Sequence, residues 1–393
     1  MPATSLYVHI PFCRQRCGYC DFNTYAGLES LIPSYCAAIG REIELLTEAS
    51  EARYLLHTIY FGGGTPSLLP LPQLEKILGV IQKHFPLHSN PEITLEANPG
   101  TLDREYLKGI RQLGINRLSL GMQSANQAIL RLLDRLHSPV QVLQSVRWGR
   151  EAGFDNINLD LIYGIPTQSL DDWKKTLSIA LSLAPEHMSL YALTIEQGTP
   201  FKSWVDRGLV EEPDPDLAAE MYEYAMDVLE ENRFEHYEIS NWAKKNGDRS
   251  YVSRHNLQYW RNLPYIGIGA GAHGYLENMR TANVAHPHSY IKRIKDGKVL
   301  PFPQTPATLS LEIIDKRVEI GETLMMGLRL LQEGVSKETF WQRFGENLKD
   351  GFEVEIETLI DKGLLEWGGE DQNILRLTRR GYLLGNQVFQ VFI

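Results

Sequence analysis

Residues 7–22 read YVHIPFCRQRCGYCDF. A short apolar run, LYVHIP, gives way to a loop that holds Cys13, Cys17 and Cys20, three of the four cysteines in the chain. Three ligands are an odd number for a structural zinc site, which is closed by four and would need a distant histidine here. Where a fourth thiolate could stand, two positions after Cys20, the residue is Phe22. Three close thiolates can instead hold a [4Fe–4S] cluster. One iron then keeps an open position, on which a small chelating molecule can bind.

Working outward, similar apolar runs recur: TIYFGGGTP, EITLEANP, RLSLGMQS, INLDLIYGIP and MSLYALTIEQGTP. Amphipathic stretches lie between them. In LPQLEKILGVIQKHF the apolar residues Leu71, Leu74, Ile77, Leu78, Ile81 and Phe85 follow helical spacing. Leu107, Ile110 and Leu113 form one face of a second helix that stops at Gly114. Strands alternating with helices predict a parallel sheet with right-handed crossovers. About six such units, from residue 5 to 195, form either an open doubly wound sheet or a partial barrel. Ligands collect at the carboxyl ends of the strands in both. The unusual residues fall there: the cysteines, the glycines after TIYF, Glu96, Gln123 and Asp160.

After residue 200 the pattern changes. DPDLAAEMYEYAMDVLEENRF reads as a helix, and HYEISNWA and YIGIGAGAHGYLE as strands that extend or cap the sheet. From residue 309 helices dominate and a hairpin, GLLEWGGEDQNILRLTRRG, follows, which suggests a winged helix. This segment carries 10 Lys and Arg against 15 Asp and Glu. With a chain net charge of −10, that argues against nucleic acid as partner. The N-terminus lacks the basic start and apolar core of a signal peptide, and no 18-residue apolar run exists. Clustered cysteines rather than a disulfide framework suggest a reducing compartment, so the expected location is the cytoplasm.

The C-x3-C-x2-C loop directly after the first strand resembles the signature of radical S-adenosylmethionine (SAM) proteins. That resemblance implies a partial (β/α)6 barrel and a cluster whose open iron chelates the amino and carboxylate groups of SAM. It also gives Tyr19 the place of the aromatic usually found between the last two cysteines, where packing alone would also account for it. YFGGGTPS resembles the SAM-binding glycine motif. The whole chain resembles the branch that contains oxygen-independent coproporphyrinogen oxidases and related haem chaperones. On that resemblance Tyr7, Gly63 and Glu96 match positions contacting the cluster-bound SAM. Gly64, Thr65, Gln123, Arg135 and Asp160 match positions lining a second SAM in the oxidases. Their structural readings are ordinary ones: Glu96 and Asp160 could pair with barrel cations, and Arg135 could be a solvated helix residue.

Three features separate the two branches. The oxidases carry a fourth cysteine where Phe22 stands. They have an N-terminal extension, whereas the first strand here begins within ten residues. HNLQYW, residues 255–260, resembles the HNxxYW motif of the haem chaperones. His255 is a candidate axial ligand, and Tyr259 and Trp260 could stack on a porphyrin. A loop or strand end that turns the three together is expected there. His273 is a further candidate near the mouth, His9 a cluster neighbour or core residue, and Cys36 a buried helix residue. The resemblance implies a haem chaperone that passes haem to acceptor proteins, without coproporphyrinogen dehydrogenase activity. The alternative is an oxygen-independent coproporphyrinogen III oxidase. A peripheral contact with membrane haemoproteins is compatible with this reading. The expected layout is α/β: residues 1–200 a radical SAM partial barrel, 201–308 a mixed extension bearing HNLQYW, and 309–393 a winged-helix-like module.

Overall fold

The computed structural model describes residues 3–393. Six strands pair in parallel, each with the next in sequence: β1 (Ala3–Ile10), β2 (Leu55–Gly63), β3 (Leu87–Ala97), β4 (Arg117–Gln123), β5 (Ile157–Tyr163) and β6 (His187–Ala192). The order never reverses, so there is no switch point, and the winding is that of a barrel rather than a doubly wound sheet. Between the strands run α1 (Ile32–Ala49), α2 (Leu71–His84), α3 (Arg104–Gln112), α4 (Pro139–Glu151) and α5 (Leu170–Ser182). On the other side of β1 the strand Tyr265–Ile268 pairs in parallel, and His273–Leu276 then runs back antiparallel to it. The sheet therefore stays open, a partial barrel.

The helices start where side chains cap them. Asp103 accepts from Tyr106 N, and Ser138 and Ser169 form capping boxes with Gln141 and Asp172. Gly114, at φ 96°, ends α3 as its place in the sequence predicts. The apolar face of α2 buries Leu74, Ile77, Leu78 and Ile81. Each barrel strand alternates. Leu6, Val8, Ile10, Ile59, Phe61, Leu95, Leu118, Leu120, Leu159 and Leu161 are completely buried, on the parity that faces the helices. The other parity carries Ser5, Tyr7, Tyr60, Glu96, Ser119, Asn158, Asp160 and Ser189. The barrel is thus lined with polar groups, whereas parallel strands covered on both faces usually read as continuous apolar runs.

The chain divides into two compact units: residues up to Ala225 with Pro264–Glu312, and Met226–Leu263 with Ile313–Ile393. This differs from the three consecutive segments expected from sequence, because 226–263 clusters with the C-terminal residues. Backbone hydrogen bonds from Ile239 N to Arg329 O (3.2 Å) and from Leu331 N to Tyr237 O (3.0 Å) tie them. HYEISNWA is two strands, Phe234–Glu238 and Asn241–Asn246, paired antiparallel. The C-terminal residues follow the winged-helix order: helix Lys316–Gly327, strand Val335–Ser336, helices Lys337–Phe344 and Glu353–Asp361, then the hairpin Leu365–Gly368 and Ile374–Leu377. Among the described residues no helix is long and apolar enough to cross a membrane.

Candidate functional site

The cysteine loop leaves the carboxyl end of β1. Phe12–Cys13 pairs with Tyr25–Ala26, and Tyr25 N donates to Pro11 O at 2.7 Å, closing the base of the loop. Cys20 N donates to Cys17 O, which turns the last two thiols together. The glycine segment after β2 lies against the loop: Gly64 N donates to Ile10 O and Thr65 N to Phe12 O, both at 2.8 Å. A Cβ on Gly64 would stand 3.0 Å from Cys13 Sγ, so only glycine admits this approach. Thr65 Oγ1 donates to Cys13 Sγ at 3.5 Å, Arg135 Nη1 to Cys17 Sγ at 3.7 Å, and Thr24 Oγ1 lies 3.8 Å from Cys20 Sγ.

Burial pushes the Cys13 thiol up to about 11, and the other two thiols add to the rise. Cys20 is raised by the same main cause. Three mutually repelling thiolates become stable when a positive centre joins them. Among the described residues no three His, Cys, Asp or Glu side chains converge on one point as the ligands of a single ion do. A four-iron cluster takes one thiolate per iron, and its ligands stand apart. The donor set fits that group. Cys36 is elsewhere, buried in α1.

Beside the loop, the inward residues of β1 to β3 meet. Tyr60 Oη donates to Glu96 Oε1 at 2.7 Å, and Gly63 N to Glu96 Oε2 at 3.1 Å. The Tyr7 ring stacks near Tyr60, 6.2 Å between centroids, and its hydroxyl lies 3.0 Å from His9 Nδ1. Gly63 has φ 115°, and a Cβ there would stand 2.5 Å from the His9 ring. Burial raises Glu96 to about 7. Asp160 on β5 is likewise raised by burial; it accepts from Ser119 Oγ (3.0 Å) and Asn158 Nδ2 (2.8 Å). On β4 a register shift between Gly121 and Gln123 marks a bulge, with Gln123 at φ 62°. Arg135 Nη2 donates to Gly121 O at 3.0 Å, which holds the cation between the bulge and Cys17. Tyr19 packs on the cluster of Ile129, Leu133, Ile162 and Phe201.

Of the residues expected around the cysteines, Gly64, Thr65 and Arg135 touch the loop, Glu96 joins them through Gly63, and Tyr7 and Asp160 lie within their strands. Tyr60, Ser119 and Asn158 were not singled out from sequence. Their signal is the polar residue at every second place in TIYF, RLSLGMQ and INLDLIY.

His255, Tyr259 and Trp260 belong to the other unit, and they sit on a helix, Arg254–Trp260, not on a loop or strand end. Ser253 caps it by accepting from Asn256 N. Four residues of helix bring His255 under Tyr259, with Nε2 2.9 Å from the hydroxyl. His255 is buried. Trp260 points elsewhere, and Arg329 covers its ring at 5.1 Å. His273 begins a strand with its side chain exposed.

Comparison with known proteins places this geometry. Residues 7–180 match the Radical SAM superfamily and residues 314–384 the HemN C-terminal domain. The chain is 38% identical over 389 residues to the Heme chaperone HemW of Lactococcus lactis, covering 99% of this chain and 97% of that one. It is 38% identical over 390 residues to Heme chaperone HemW of Bacillus subtilis, covering 99% of both. The solved structure of coproporphyrinogen III oxidase HemN from Escherichia coli superposes with a TM-score of 0.83 at 20% identity, over 99% of this chain and 90% of that one, a likeness of fold. At such identity over nearly the whole of both chains, this chain belongs to the family of the Heme chaperone HemW proteins, built on the radical SAM superfamily domain.

Proposed function

We propose that this chain is a haem chaperone, which binds haem and passes it to acceptor proteins, and that it carries a SAM-binding [4Fe–4S] cluster. The observation that carries the reading is the 38% identity to proteins named Heme chaperone HemW over essentially their full length. The likeness to the oxidase is of fold alone. Phe22, 67% exposed, fits the same reading, since the oxidases resembled here have a cysteine at that place.

In this reading Cys13, Cys17 and Cys20 hold the cluster. When bound, the cluster supplies an open iron for SAM and a source of single electrons. The protein's part is binding and shielding. Thr65 and Arg135 donate to the thiolates. Glu96, oriented by Tyr60 and the Gly63 N–H, faces a cationic amino group or ribose hydroxyls, beside Tyr7. Gly64, Gln123, Arg135, Asp160 and Tyr19 complete the wall. His255 supplies the imidazole for haem iron, and Tyr259 holds that ring in place until haem arrives. We place the protein in the cytoplasm, with haem-acceptor proteins as partners and peripheral contact with membrane haemoproteins in keeping with that role.

The test is anaerobic reconstitution followed by two assays on one sample. Stoichiometric haem retention with no decarboxylation of coproporphyrinogen III, in the presence of SAM and reductant, is the expected pair of results. Robust turnover makes the protein an oxidase and ends the chaperone reading.

A further inference from the structure

Arg329 lies in the second unit, in the short segment that bridges to the strand Phe234–Glu238 through Glu238 and Leu330. Its guanidinium is held between two rings, 5.1 Å over Trp260 and 4.3 Å over Phe389. Such stacking fixes the plane of the fork and leaves its edge free to donate. Among the described residues no hydrogen bond or ion pair engages that edge. The carboxylate whose field reaches it is Glu238, but the oxygens of Glu238 are taken by Ser240 N and by Asn241 Nδ2. Beside the guanidinium, the indole Nε1 of Trp260 is buried and has no acceptor. Arg offers five N–H donors and indole one, and neither accepts. A buried donor left without a partner is costly to the fold. A buried indole N–H without an acceptor, beside a half-buried planar cation whose fork is held in place by two rings, fits a carboxylate held by charge-assisted hydrogen bonds. Trp260 belongs to the stretch assigned to haem, and haem carries two propionate carboxylates.

We propose that Arg329, together with the Trp260 indole N–H, recognises a carboxylate of the incoming haem; this rests on the haem-binding reading above. Arg329 then selects for free porphyrin acids and fixes the tetrapyrrole edge. The iron ligand is a separate matter. Trp260 acts through its N–H and one face, since Arg329 already covers the other.

The test measures affinity of the reconstituted full chain for haem and for haem dimethyl ester, which keeps the iron and ring but has no free carboxylate. Wild type is expected to prefer the acid by about ten- to a hundredfold. Arg329→Gln should bind haem about as weakly as wild type binds the ester, and should no longer distinguish the two. Trp260→Phe, which keeps the ring and removes the N–H, should lose part of the preference. Circular dichroism and melting check the fold. Should Arg329→Gln not fold, Arg329→Lys keeps the charge, loses the fork and must reduce the preference. Full preference for the acid in a folded Arg329 variant overturns the assignment, and so does equal binding of acid and ester by wild type; either leaves haem binding itself standing. Failure of wild type to bind haem or ester overturns both readings.

Discussion

Glu96→Gln offers the most demanding test of the barrel site. Glu96 accepts from Tyr60 Oη and Gly63 N, and burial raises its proton affinity from the usual 4.5 to about 7. Between these values the native chain holds a proton that the unfolded chain has released. Stability therefore falls as pH rises from 4.5 to 7, and the full penalty is present above 7. That displacement is worth about 3 kcal/mol as a ceiling. Glu96 is only partly hidden from water, so about 1–2 kcal/mol is the working figure. Glutamine keeps one oxygen for a donor and never ionises. Apo Glu96→Gln should then be more stable than wild type by about 1–2 kcal/mol at pH 8, with the advantage gone at pH 4.5. Urea unfolding of the two apo proteins at both pH values measures the difference. Glu238, also raised to about 7, is common to both proteins and cancels. SAM retention should fall in the same variant, the pattern of a group kept for binding at the expense of stability. A variant less stable than wild type at pH 8, or a difference that ignores pH, would refute the reasoning.

Replacing Cys13, Cys17 or Cys20 by Ala should remove most of the iron and the broad visible absorption of a reconstituted sample, while Cys36→Ala should not; iron analysis decides, and equal loss in Cys36→Ala defeats the three-ligand assignment. His255→Ala should weaken haem retention or shift the Soret band with cluster content unchanged. His286→Ala, at an exposed position before helix Pro287–Asp296, should leave haem binding as it was. Gly63→Ala places a Cβ 2.5 Å from the His9 ring at φ 115° and should lower stability by about 2–4 kcal/mol; a melting temperature equal to wild type would show that the segment relaxes freely.

What sequence could reveal depended on whether the signal was local. The cysteine loop, the glycine segment and helix α2 are each specified within fifteen residues or so, and all stand where spacing and periodicity put them. The helix Arg254–Trp260 was missed because seven residues carry barely two turns. Its one sequence mark, Ser253 as cap, is a residue equally at home in a loop. The bulge at Gln123 was missed for a related reason: nothing in RLSLGMQ marks it, and the shift exists only against β5. Tyr60 and Glu96 are 36 residues apart. Their contact is fixed by the register in which Tyr60 faces Thr94 across adjacent strands, and a single sequence does not carry register. The grouping of 226–263 with the C-terminal residues depends on backbone bonds of the same long-range kind.

The polar lining of the barrel separates a binding site from a structural network. A buried carboxylate kept for stability needs a cation in direct contact, since an unpaired buried charge is expensive. Three acids in the first unit, Glu42, Glu96 and Asp160, are met by neutral donors instead. Glu96 is met by a phenol and a backbone N–H. Asp160 is met by the hydroxyls of Ser119 and Ser189 and the amide of Asn158, and Glu42 by the donors of Gly269, Asn283, Tyr290 and Thr305. Glu42 has four neutral donors, so its needs are met within the fold. Glu96 has two and Asp160 three; burial raises the proton affinity of both, and the charge of Asp160 adds to the rise at Glu96. The two left-handed positions of the site, Gly63 and Gln123, lie at the same end of the barrel. Strained backbone and carboxyls raised by burial, with the field of Arg117 opposing the rise, gathered beside three thiols, are common at functional sites. In the function proposed above, the sulfonium and ammonium of SAM would be the positive charges that this set meets.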